Sequence, residues 1–280
     1  MDNCELTMKR FGLLHHPKIS ESRTLAQDVE AILQAYGVSV WQASAWDEAE
    51  VLRQAHGTDL LITFGGDGTI VRTARILAAQ NLPILGVNLG RLGFLAELQP
   101  SEIRGRLEAL VNGQYWLEER MMLHADVKRE QRIMHSYEAL NDVVVSRGRI
   151  ARVVRVETYV DGQYLTTYVA DGVIVATPTG STAYSLAAGG PILDPRLFNL
   201  LLIPIAPHLT VATALVLPAG LHVHLELSTE YEASLTIDGQ MDLPLIDGDI
   251  VIVAASRNVC RFVRMGEQNY FYKALFERLR

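Results

Sequence analysis

A glycine turn around one acidic residue, Phe64-Gly65-Gly66-Asp67-Gly68-Thr69, separates two segments of different hydrophobic periodicity. Before the turn, residues 59–63 form the short apolar run that is typical of a buried strand. After it, apolar residues recur at helical spacing from Ile70 to Ala78. A strand that leads through a tight turn into a helix is the repeating unit of parallel α/β sheets. The turn therefore predicts an α/β fold with Asp67 at the mouth of a strand–loop–helix unit.

The same turn predicts a site for an anionic ligand. Glycines let the backbone approach a ligand closely, and a helix N-terminus offers free N–H groups and the positive end of the helix dipole. A carboxylate beside a phosphate makes chemical sense if it accepts a proton or holds a metal ion during chemistry on that phosphate. The alternative is a packing turn in which Asp67 is an ordinary helix N-cap. No Gly-Lys-Ser/Thr follows the turn, so it is not a Walker loop.

The composition is typical of a globular protein and argues against two classes of binding partner. The chain has 280 residues, 49% hydrophobic and 20% charged, which suffices for one large domain or two smaller ones. A net charge of −7 argues against a broad surface for nucleic acid or anionic membranes. Cys4 and Cys260 lie at opposite ends without metal-type spacing, which indicates a reduced, cytoplasmic protein.

Targeting and membrane segments are not expected. The N-terminus lacks the apolar core of a signal peptide. Two long stretches without charged residues, 172–193 and 197–225, are interrupted by prolines or glycines. Both are therefore interpreted as buried strands and turns rather than membrane helices.

Strand and helix patterns alternate in the first part of the chain. Strands are predicted at 10–15, 38–41, 59–63 and 83–87, and helices at 22–36, 47–56, after Asp67 and at 101–111. This alternation predicts a doubly wound parallel sheet, in which ligands bind beyond the carboxyl ends of the strands. Asp67 and Asn88 both lie at such ends. His15 and His16 also follow a strand, although a turn before Pro17 explains them equally well.

Short alternating strands replace the helices from about residue 114. Two Asp-Gly pairs, Asp161-Gly162 and Asp247-Gly248, separate runs of strand-forming residues and predict turns between neighbouring strands. We therefore predict an α/β domain over residues 1–113, followed by an antiparallel β-sandwich over 114–267. The last segment, 268–280, has an apolar helical face and is predicted to be a tail helix that packs back on the N-terminal domain.

A second motif, residues 171–191, joins a buried strand to a turn rich in hydroxyls and glycines. From Thr177 to Ser185, six of nine side chains carry a hydroxyl. Hydroxyls and free backbone N–H groups suit the oxygens of ribose and phosphate, and Tyr184 adds a flat face for a base ring. The alternative is a capped helix start whose hydroxyls are satisfied within the protein.

Three smaller clusters have both a functional and a structural explanation. Asn141-Asp142 offers a donor and an acceptor to a ribose diol, but the pair is also common in plain turns. Four arginines between residues 147 and 155 suit phosphate binding or a solvated strand face equally well. His222, His224 and Glu226 share one strand face as metal ligands would. Because no further ligand is evident, a polar outer face is favoured.

Taken together, these segments resemble NAD kinase of the bacterial type. The resemblance covers nearly the whole chain. The Thr-Pro-Thr-Gly-Ser-Thr-Ala-Tyr run is its most specific part, whereas the glycine-aspartate motif is shared with lipid kinases and phosphofructokinases. The segments that carry it are residues 65–69, 88–94, 141–142, 171–172, 177–185, 207–208 and 237–239. The family's fold, an α/β domain followed by a β-sandwich, agrees with the fold predicted above.

The resemblance implies transfer of the γ-phosphoryl group of ATP to the 2′-hydroxyl of the adenosine ribose of NAD, giving NADP, with Asp67 as the general base. It also implies a divalent metal ion, Mg²⁺ bound with ATP, and a homodimer or homotetramer that binds neither nucleic acid nor membrane. The substrate-binding residues that it implies are Gly66, Gly68, Arg72, Asn88, Phe94, Asn141, Asp142, Arg152, Asp171, Thr179, Thr182, Ala183, Tyr184, Ser185, Ala187, Asp238 and Gln240.

The chain departs from the family pattern in three places. Asp142 stands where glutamate is usual, and Ala187 stands where bacterial members often have serine. Residues 211–214 lack the arginine of the Ser-x-Arg-Pro that the family often shows there. These departures motivate one alternative, a non-catalytic NAD(P)-binding sensor, which the presence of Asp67 opposes. A lipid or sugar kinase with the same glycine turn is the other, and the 171–191 segment argues against it.

Overall fold

The structure, a computed structural model, describes residues 9–90, 93–148, 152–208, 212–268 and 270–278, with side chains in the last helix described up to residue 275. Cys4 and Arg149 lie outside these ranges. The elements of the first part are β1 (Arg10–His15), α1 (Ser20–Ala35), β2 (Ser39–Ser44), α2 (Glu48–Ala55), β3 (Leu60–Gly65), α3 (Asp67–Ile76), β4 (Pro83–Asn88) and α4 (Ile103–Val111). Those that follow are β5 (Trp116–Arg129), β6 (Arg132–Ala139), β7 (Asp142–Arg147), β8 (Val154–Val160), β9 (Gln163–Ala170), β10 (Gly172–Ala176), α5 (Tyr184–Ala187), β11 (Asn199–Ile205), β12 (Leu215–Pro218), β13 (Val223–Ser228), β14 (Ala233–Ile237), β15 (Met241–Leu245), β16 (Ile250–Arg264) and α6 (Tyr270–Arg278).

The chain divides into two compact units. Unit 1 comprises Met1–Glu119 and Cys260–Arg280, and unit 2 comprises Arg120–Val259. Both divisions fall inside long strands, β5 and β16, whereas the sequence placed them near residues 113 and 267. A shift in composition cannot mark a boundary inside a continuous strand. Among the described helices, none is long and apolar enough to cross a membrane.

Unit 1 is built on a parallel sheet in the order β2-β1-β3-β4, with the end of β16 beside β4. β1 lies between β2 and β3, so the chain winds in one direction from β1 to β2 and in the other towards β4. This is the topological switch point of the sheet, where α/β proteins bind ligands beyond the carboxyl ends of the strands. At that edge His15 is in register with Ser44 on one side and Phe64 on the other.

Helices cover both faces of this sheet, because successive residues of a strand point in opposite directions. Phe11 and Leu13 are fully buried in one core with residues of α1 and α4. On the other face, the position of a Cβ on Gly86 of β4 lies against Ile70 of α3. The doubly wound arrangement predicted from the alternation is confirmed, and it places the start of α3 directly after the end of β3.

A buried charge cluster ties the C-terminal helix into unit 1. Arg264, at the end of β16, has only 1% of its side chain exposed and donates to Glu118 over 2.8 Å and to Glu97 over 3.2 Å. The hydroxyl of Tyr270 in α6 donates to the same Glu118 over 2.9 Å. The predicted tail helix therefore does pack on the N-terminal part of the chain. No sequence pattern had indicated Arg264, since a single arginine at a strand end is ordinary.

Unit 2 is an antiparallel β-sandwich. One sheet has the order β12-β11-β10-β7-β14-β15, and the other contains the run β16-β13-β8-β9 and the β5–β6 pair. Side chains from both sheets, among them Val145, Leu225 and Val251, form one fully buried core. The sandwich predicted for this part of the chain is confirmed. Its first sheet positions the ends of β7 and β10, from which the second set of candidate site residues projects.

The two Asp-Gly turns have different roles. Asp161 and Gly162 both have positive φ, 48° and 77°, and join the paired strands β8 and β9 as a hairpin. Asp247-Gly248 does not form a hairpin, because β15 pairs with β14 whereas β16 pairs with β13. The predicted turn is present, with the Asp249 N–H donating to the Ile246 carbonyl over 3.1 Å, but it joins strands of different sheets, since an Asp-Gly pair satisfies a tight turn without deciding which strands pair.

Candidate active site

Asp67 is the first residue of α3, and Gly66 occupies the N-cap position. The Asp67 carboxylate accepts hydrogen bonds from the backbone N–H groups of Phe94, over 2.6 Å, and Leu95, over 3.2 Å. These donors lie 27 and 28 residues further along the chain. The alternative in which Asp67 is an ordinary N-cap is therefore wrong. Its carboxylate is instead anchored to the loop that follows β4.

Glycines shape the space around this carboxylate. A Cβ on Gly93 would overlap the Asp67 carboxylate, and a Cβ on Gly65 would overlap the side chain of Thr69. At Gly66 and Gly90, in contrast, no heavy atom of the described residues, chain neighbours apart, lies within 4 Å of the Cβ position. The backbone is therefore tightly packed around the Asp67 carboxylate. At Gly66 and Gly90 it has free space beside it, where a ligand can approach closely.

Asn88 ends β4 beside Gly65 at the end of β3. It is buried, and its amide donates to the Gly90 carbonyl and accepts from the Gly90 N–H, each over 3.2 Å. The side chain thus fixes the first turn of the loop that carries the donors to Asp67. The sequence correctly predicted Asn88 at the carboxyl edge of the sheet. The hydrogen bonds of its side chain show that Asn88 shapes the loop.

Arg72 lies further along α3 and is stacked on an aromatic ring. Its guanidinium carbon is 5.0 Å from the centroid of Trp46, and the His16 ring meets Trp46 edge-on at 4.4 Å. Trp46 follows the end of β2, and His16 follows β1. Sequence reasoning missed Trp46, although its position just beyond the carboxyl end of a strand could have indicated it.

In unit 2, Asp238 organises the Asn141-Asp142 pair. Its carboxylate accepts from the backbone N–H groups of Leu140, Asn141 and Asp142 over 3.0, 2.7 and 3.1 Å. Its own N–H donates to the Asp142 carbonyl over 3.0 Å. Asp238 has a φ of 52°, in the left-handed region that Asp tolerates better than most residues. These bonds hold the start of β7 in one conformation.

Asp142 is a buried carboxyl beside this one. Only 4% of the residue is exposed, and burial, assisted by the Asp238 charge, raises the pKa of Asp142 to about 7. Near neutral pH the group is therefore present both as the acid and as the carboxylate. It can donate a hydrogen bond as well as accept one, which suits a polar ligand group of either kind.

The raised pKa of Asp142 predicts how stability depends on pH. The pKa lies above its ordinary 3.8, so the folded protein keeps a proton that the unfolded chain loses, and the free energy of unfolding falls as the pH rises from about 4 to about 7. Asp142→Asn removes this dependence. Between pH 5 and pH 8 the free energy of unfolding of the wild type should therefore fall by about 2–3 kcal/mol relative to that of Asp142→Asn. Urea unfolding at both pH values measures it, and a difference independent of pH would contradict it.

The hydroxyl-rich turn folds against Asn141. The N–H of Thr177 donates to the Asn141 carbonyl over 2.9 Å, and the Thr177 hydroxyl accepts from the N–H of Gly180 over 3.0 Å. A short 3-10 turn over residues 180–182 then leads through Ala183 into α5, which ends at Ala187. The turn and the start of β7 are therefore one packed assembly.

Most hydroxyls of this turn are bonded within the protein rather than turned towards a ligand. They belong to Thr177, Thr179, Ser181 and Thr182, and their partners are backbone carbonyls or, for Thr179, the Arg120 guanidinium. The structural alternative holds for these four, because the folded protein supplies a hydrogen-bond partner for each hydroxyl. Ser185 is different: its hydroxyl is buried without a partner among the described residues. Tyr184 is 46% exposed, so its ring is available to a ligand.

Gly180 has no room for a side chain. A Cβ there would lie 2.6 Å from the carbonyl carbon of Asn141, a backbone atom that Asp238 helps to hold in place. We expect Gly180→Ala to lower the free energy of unfolding by about 1–3 kcal/mol. Gly220→Ala serves as the control, because its Cβ position has no described neighbour within 4 Å apart from the adjoining residues, and it should change the free energy of unfolding by less than about 0.5 kcal/mol. Equal effects of the two substitutions in thermal unfolding would contradict this packing.

The other predicted residues of unit 2 have structural contacts of their own. Asp171 accepts from Arg147 over 2.9 Å, and the Arg152 guanidinium lies 5.1 Å from the centroid of Tyr231. The N–H of Gln240 donates to the Ile237 carbonyl in the turn after β14. Within the described part of the chain, no group of three or more His, Cys, Asp or Glu side chains has the arrangement of a metal site.

Comparisons with known proteins agree with this architecture. The family model of the ATP-NAD kinase N-terminal domain matches residues 11–115, and that of the ATP-NAD kinase C-terminal domain matches residues 140–265. An NAD kinase of Chloroflexus aggregans is 42% identical over 273 residues, which cover 98% of this chain and 99% of that protein. An NAD kinase of Dehalococcoides mccartyi is 40% identical over 273 residues, covering 97% and 96%.

Solved structures extend the similarity to the fold. The crystal structure of yeast NADH kinase complexed with NADH matches 98% of this chain and 88% of that chain, with a TM-score of 0.87 and 25% identity. The crystal structure of an NAD kinase from Archaeoglobus fulgidus in complex with ATP matches 96% and 98%, with a TM-score of 0.78 and 26% identity. The resemblance seen in the motifs is thereby confirmed over both units, and the chain belongs to the NAD kinase family of phosphotransferases.

Proposed function

We propose that this chain transfers the γ-phosphoryl group of ATP to the 2′-hydroxyl of the adenosine ribose of NAD, giving NADP, with Asp67 as the general base. The observation that carries the proposal is the anchored Asp67 carboxylate. It lies at the end of β3, at the first residue of a helix, beside glycines that leave the backbone open. A phosphoryl group bound at that helix end would bring its acceptor hydroxyl to the carboxylate.

The proposed reaction does not require a strong base. In phosphoryl transfer, positioning and charge neutralisation supply most of the acceleration. The 2′-oxygen forms a bond to the γ-phosphorus, the bond from that phosphorus to the bridging oxygen of ADP breaks, and the hydroxyl proton passes to the Asp67 carboxylate. A carboxylate in this position can accept the proton late in the transfer, once the 2′-oxygen has begun to bond to the phosphorus.

A divalent cation, Mg²⁺ in our proposal, enters with the donor as its ATP complex. It neutralises charge on the triphosphate, and the oxygens of that triphosphate are the hard ligands that Mg²⁺ prefers. The carboxylate of Asp67 already accepts two backbone hydrogen bonds at the glycine turn. We therefore propose that Asp67 accepts the proton and does not bind the metal ion.

The candidate residues of unit 2 are proposed to hold the dinucleotide. The exposed ring of Tyr184 offers a face to the adenine, and the unpartnered hydroxyl of Ser185 offers a hydrogen bond. Asn141 and Asp142, fixed by Asp238, are proposed to meet the ribose and nicotinamide side. Thr179 and Thr182 would contact the dinucleotide through backbone groups of their turn, since their hydroxyls already have hydrogen-bond partners.

We further propose a cytoplasmic enzyme that assembles as a homodimer or homotetramer. Two cysteines without a metal-type spacing fit a reducing compartment. The assembly rests on the resemblance to the family. Light scattering coupled to size-exclusion chromatography measures it, and a mass of 31.0 kDa, that of a single chain, would contradict it.

NADP formation is the experiment that tests the reaction. Purified protein is supplied with Mg²⁺ and with either ATP or polyphosphate as the donor, and with either NAD or NADH as the acceptor. The proposal expects NADP from ATP and NAD. Phosphorylation of diacylglycerol or a sugar phosphate without NADP formation would favour the lipid or sugar kinase. Thermal stabilisation by NADP without turnover from any donor would favour the non-catalytic sensor.

A further inference from the structure

Two tryptophans of unit 1 have contrasting environments. Trp41, in β2, is 8% exposed, and its indole N–H donates to the Thr58 hydroxyl over 2.9 Å. Trp46, five residues later, is 41% exposed. A large aromatic ring left this exposed adds little to the core, so its contacts with charged and polar neighbours call for another explanation.

Those contacts join Arg72 and His16 to the Trp46 ring, and the three residues are called the Trp46 stack. The Arg72 guanidinium lies over the Trp46 ring at 5.0 Å, and the His16 ring meets Trp46 edge-on at 4.4 Å with an angle of 65° between the planes. Burial, with Lys18 nearby, lowers the pKa of His16, so near neutral pH its imidazole supports the ring without adding a second positive charge. Arg72 is then the cation that the stack holds.

The stack stands at the switch point of the sheet. His16 follows β1, Trp46 follows β2, and Arg72 lies on α3, the helix that begins at Asp67 after β3. The N–H of Ala45, the residue before Trp46, donates to the His15 carbonyl over 3.0 Å, which fixes the two strand ends to each other. This is the edge where parallel sheets bind ligands, and the glycine turn that follows β3 lies at the same edge.

Arg72 is held by the ring but has hydrogen-bonding capacity left. Its Nε atom is buried and has no hydrogen-bond partner among the described residues. An arginine side chain loses rotamer entropy when it becomes ordered, and stacking on a ring offsets part of that loss before a ligand arrives. A planar guanidinium held in advance is suited to phosphate oxygens.

We propose that Trp46 is a positioning residue, which with His16 holds the Arg72 guanidinium beside the glycine turn for a phosphate group of a substrate. The inference rests on the proposed function and deepens it. The phosphate belongs either to the triphosphate of the donor or to the diphosphate of the dinucleotide. Since both present the same oxygens to a guanidinium, kinetics with each substrate must distinguish them.

The test compares Trp46→Leu with Trp46→Phe, and uses Tyr36→Leu as the control. Tyr36 is 47% exposed and lies at the end of α1, away from the carboxyl edge of the sheet. Trp46→Leu should raise the KM of one phosphorylated substrate about three- to tenfold with a much smaller change in kcat, and Trp46→Phe should recover part of the affinity. A raised KM for ATP assigns the phosphate to the donor, and a raised KM for NAD assigns it to the dinucleotide.

A double-mutant cycle links the effect to Arg72. In the Arg72→Ala background, Trp46→Leu should change neither KM further, because the group that it positions is absent. The inference is overturned if Trp46→Leu leaves both KM values as in Tyr36→Leu, or if its effect persists in that background. If the wild-type protein makes no NADP, the proposed function fails by itself. Calorimetric binding of ATP and of NADP to the same variants then decides the role of Trp46, and equal affinities in all of them overturn it.

Discussion

Asp67→Asn is expected to lower kcat for NADP formation by about 10²–10⁴-fold, the usual contribution of a positioned general base. The amide cannot accept the proton of the 2′-hydroxyl. In addition, Asp67 now offers two oxygens to two N–H donors, those of Phe94 and Leu95, and the amide nitrogen would oppose one of them. Steady-state kinetics measure the loss, and calorimetry with NADP checks that the dinucleotide still binds to within about threefold.

Asp59→Asn is the matched control for this substitution. The Asp59 carboxylate also accepts two backbone hydrogen bonds, from Lys9 over 2.7 Å and Arg10 over 2.9 Å. Asp59 precedes β3, whereas Asp67 follows it, so the two aspartates lie at opposite ends of the same strand. We expect kcat of Asp59→Asn to stay near that of wild type. Equal losses in both variants would mean that activity depends on hydrogen-bonded aspartates for stability rather than on Asp67 for chemistry.

Gly93→Ala is expected to produce a loss of similar kind without changing Asp67 itself. A Cβ at residue 93 would overlap the Asp67 carboxylate and push it away from its two N–H donors. Because a displacement of about 1 Å can cost 10²-fold in rate, we expect kcat to fall by about 10–10²-fold. The carboxylate is the end of a side chain that can rotate, so the melting temperature should change little.

Gly105→Ala, on an exposed position of α4, is the control for Gly93→Ala. Among the described residues, the backbone of its own helix apart, no neighbouring heavy atom lies within 4 Å of the new Cβ, and residue 105 is not part of the proposed site. We expect Gly105→Ala to keep the wild-type kcat to within about threefold. Wild-type activity in Gly93→Ala would show that the carboxylate position seen here is not the catalytic one. A large loss of thermal stability would show that residue 93 matters for folding instead.

The fold could be predicted from the sequence where the local pattern of a segment agrees with the way its strands pair. Alternation of strands and helices predicted the parallel sheet, and the Asp161-Gly162 pair predicted the hairpin in which β8 and β9 pair with each other. At Asp247-Gly248 the turn itself was predicted, but not the pairing of the strands on either side of it, because each of them pairs with another strand of its own sheet.

The candidate site was predictable in its residue types more than in its contacts. Asp67 was identified from its glycines, but its anchoring by Phe94 and Leu95 depends on a loop 27 residues away that no periodicity reveals. The hydroxyls near Thr177 were expected to suit a ligand, yet four of the six have partners within the folded protein, three of them backbone carbonyls. The stack of Trp46 on Arg72 likewise joins residues from separate elements.

The rate of the chemical step in Asp67→Asn tests the central claim most directly. In a single-turnover experiment, excess enzyme is mixed with NAD, ATP and Mg²⁺, and the NADP formed is followed with time. Our account predicts a rate constant at least about 10²-fold below that of wild type, with NADP affinity preserved. An undiminished rate constant for NADP formation in Asp67→Asn would contradict it and remove Asp67 from the role of base.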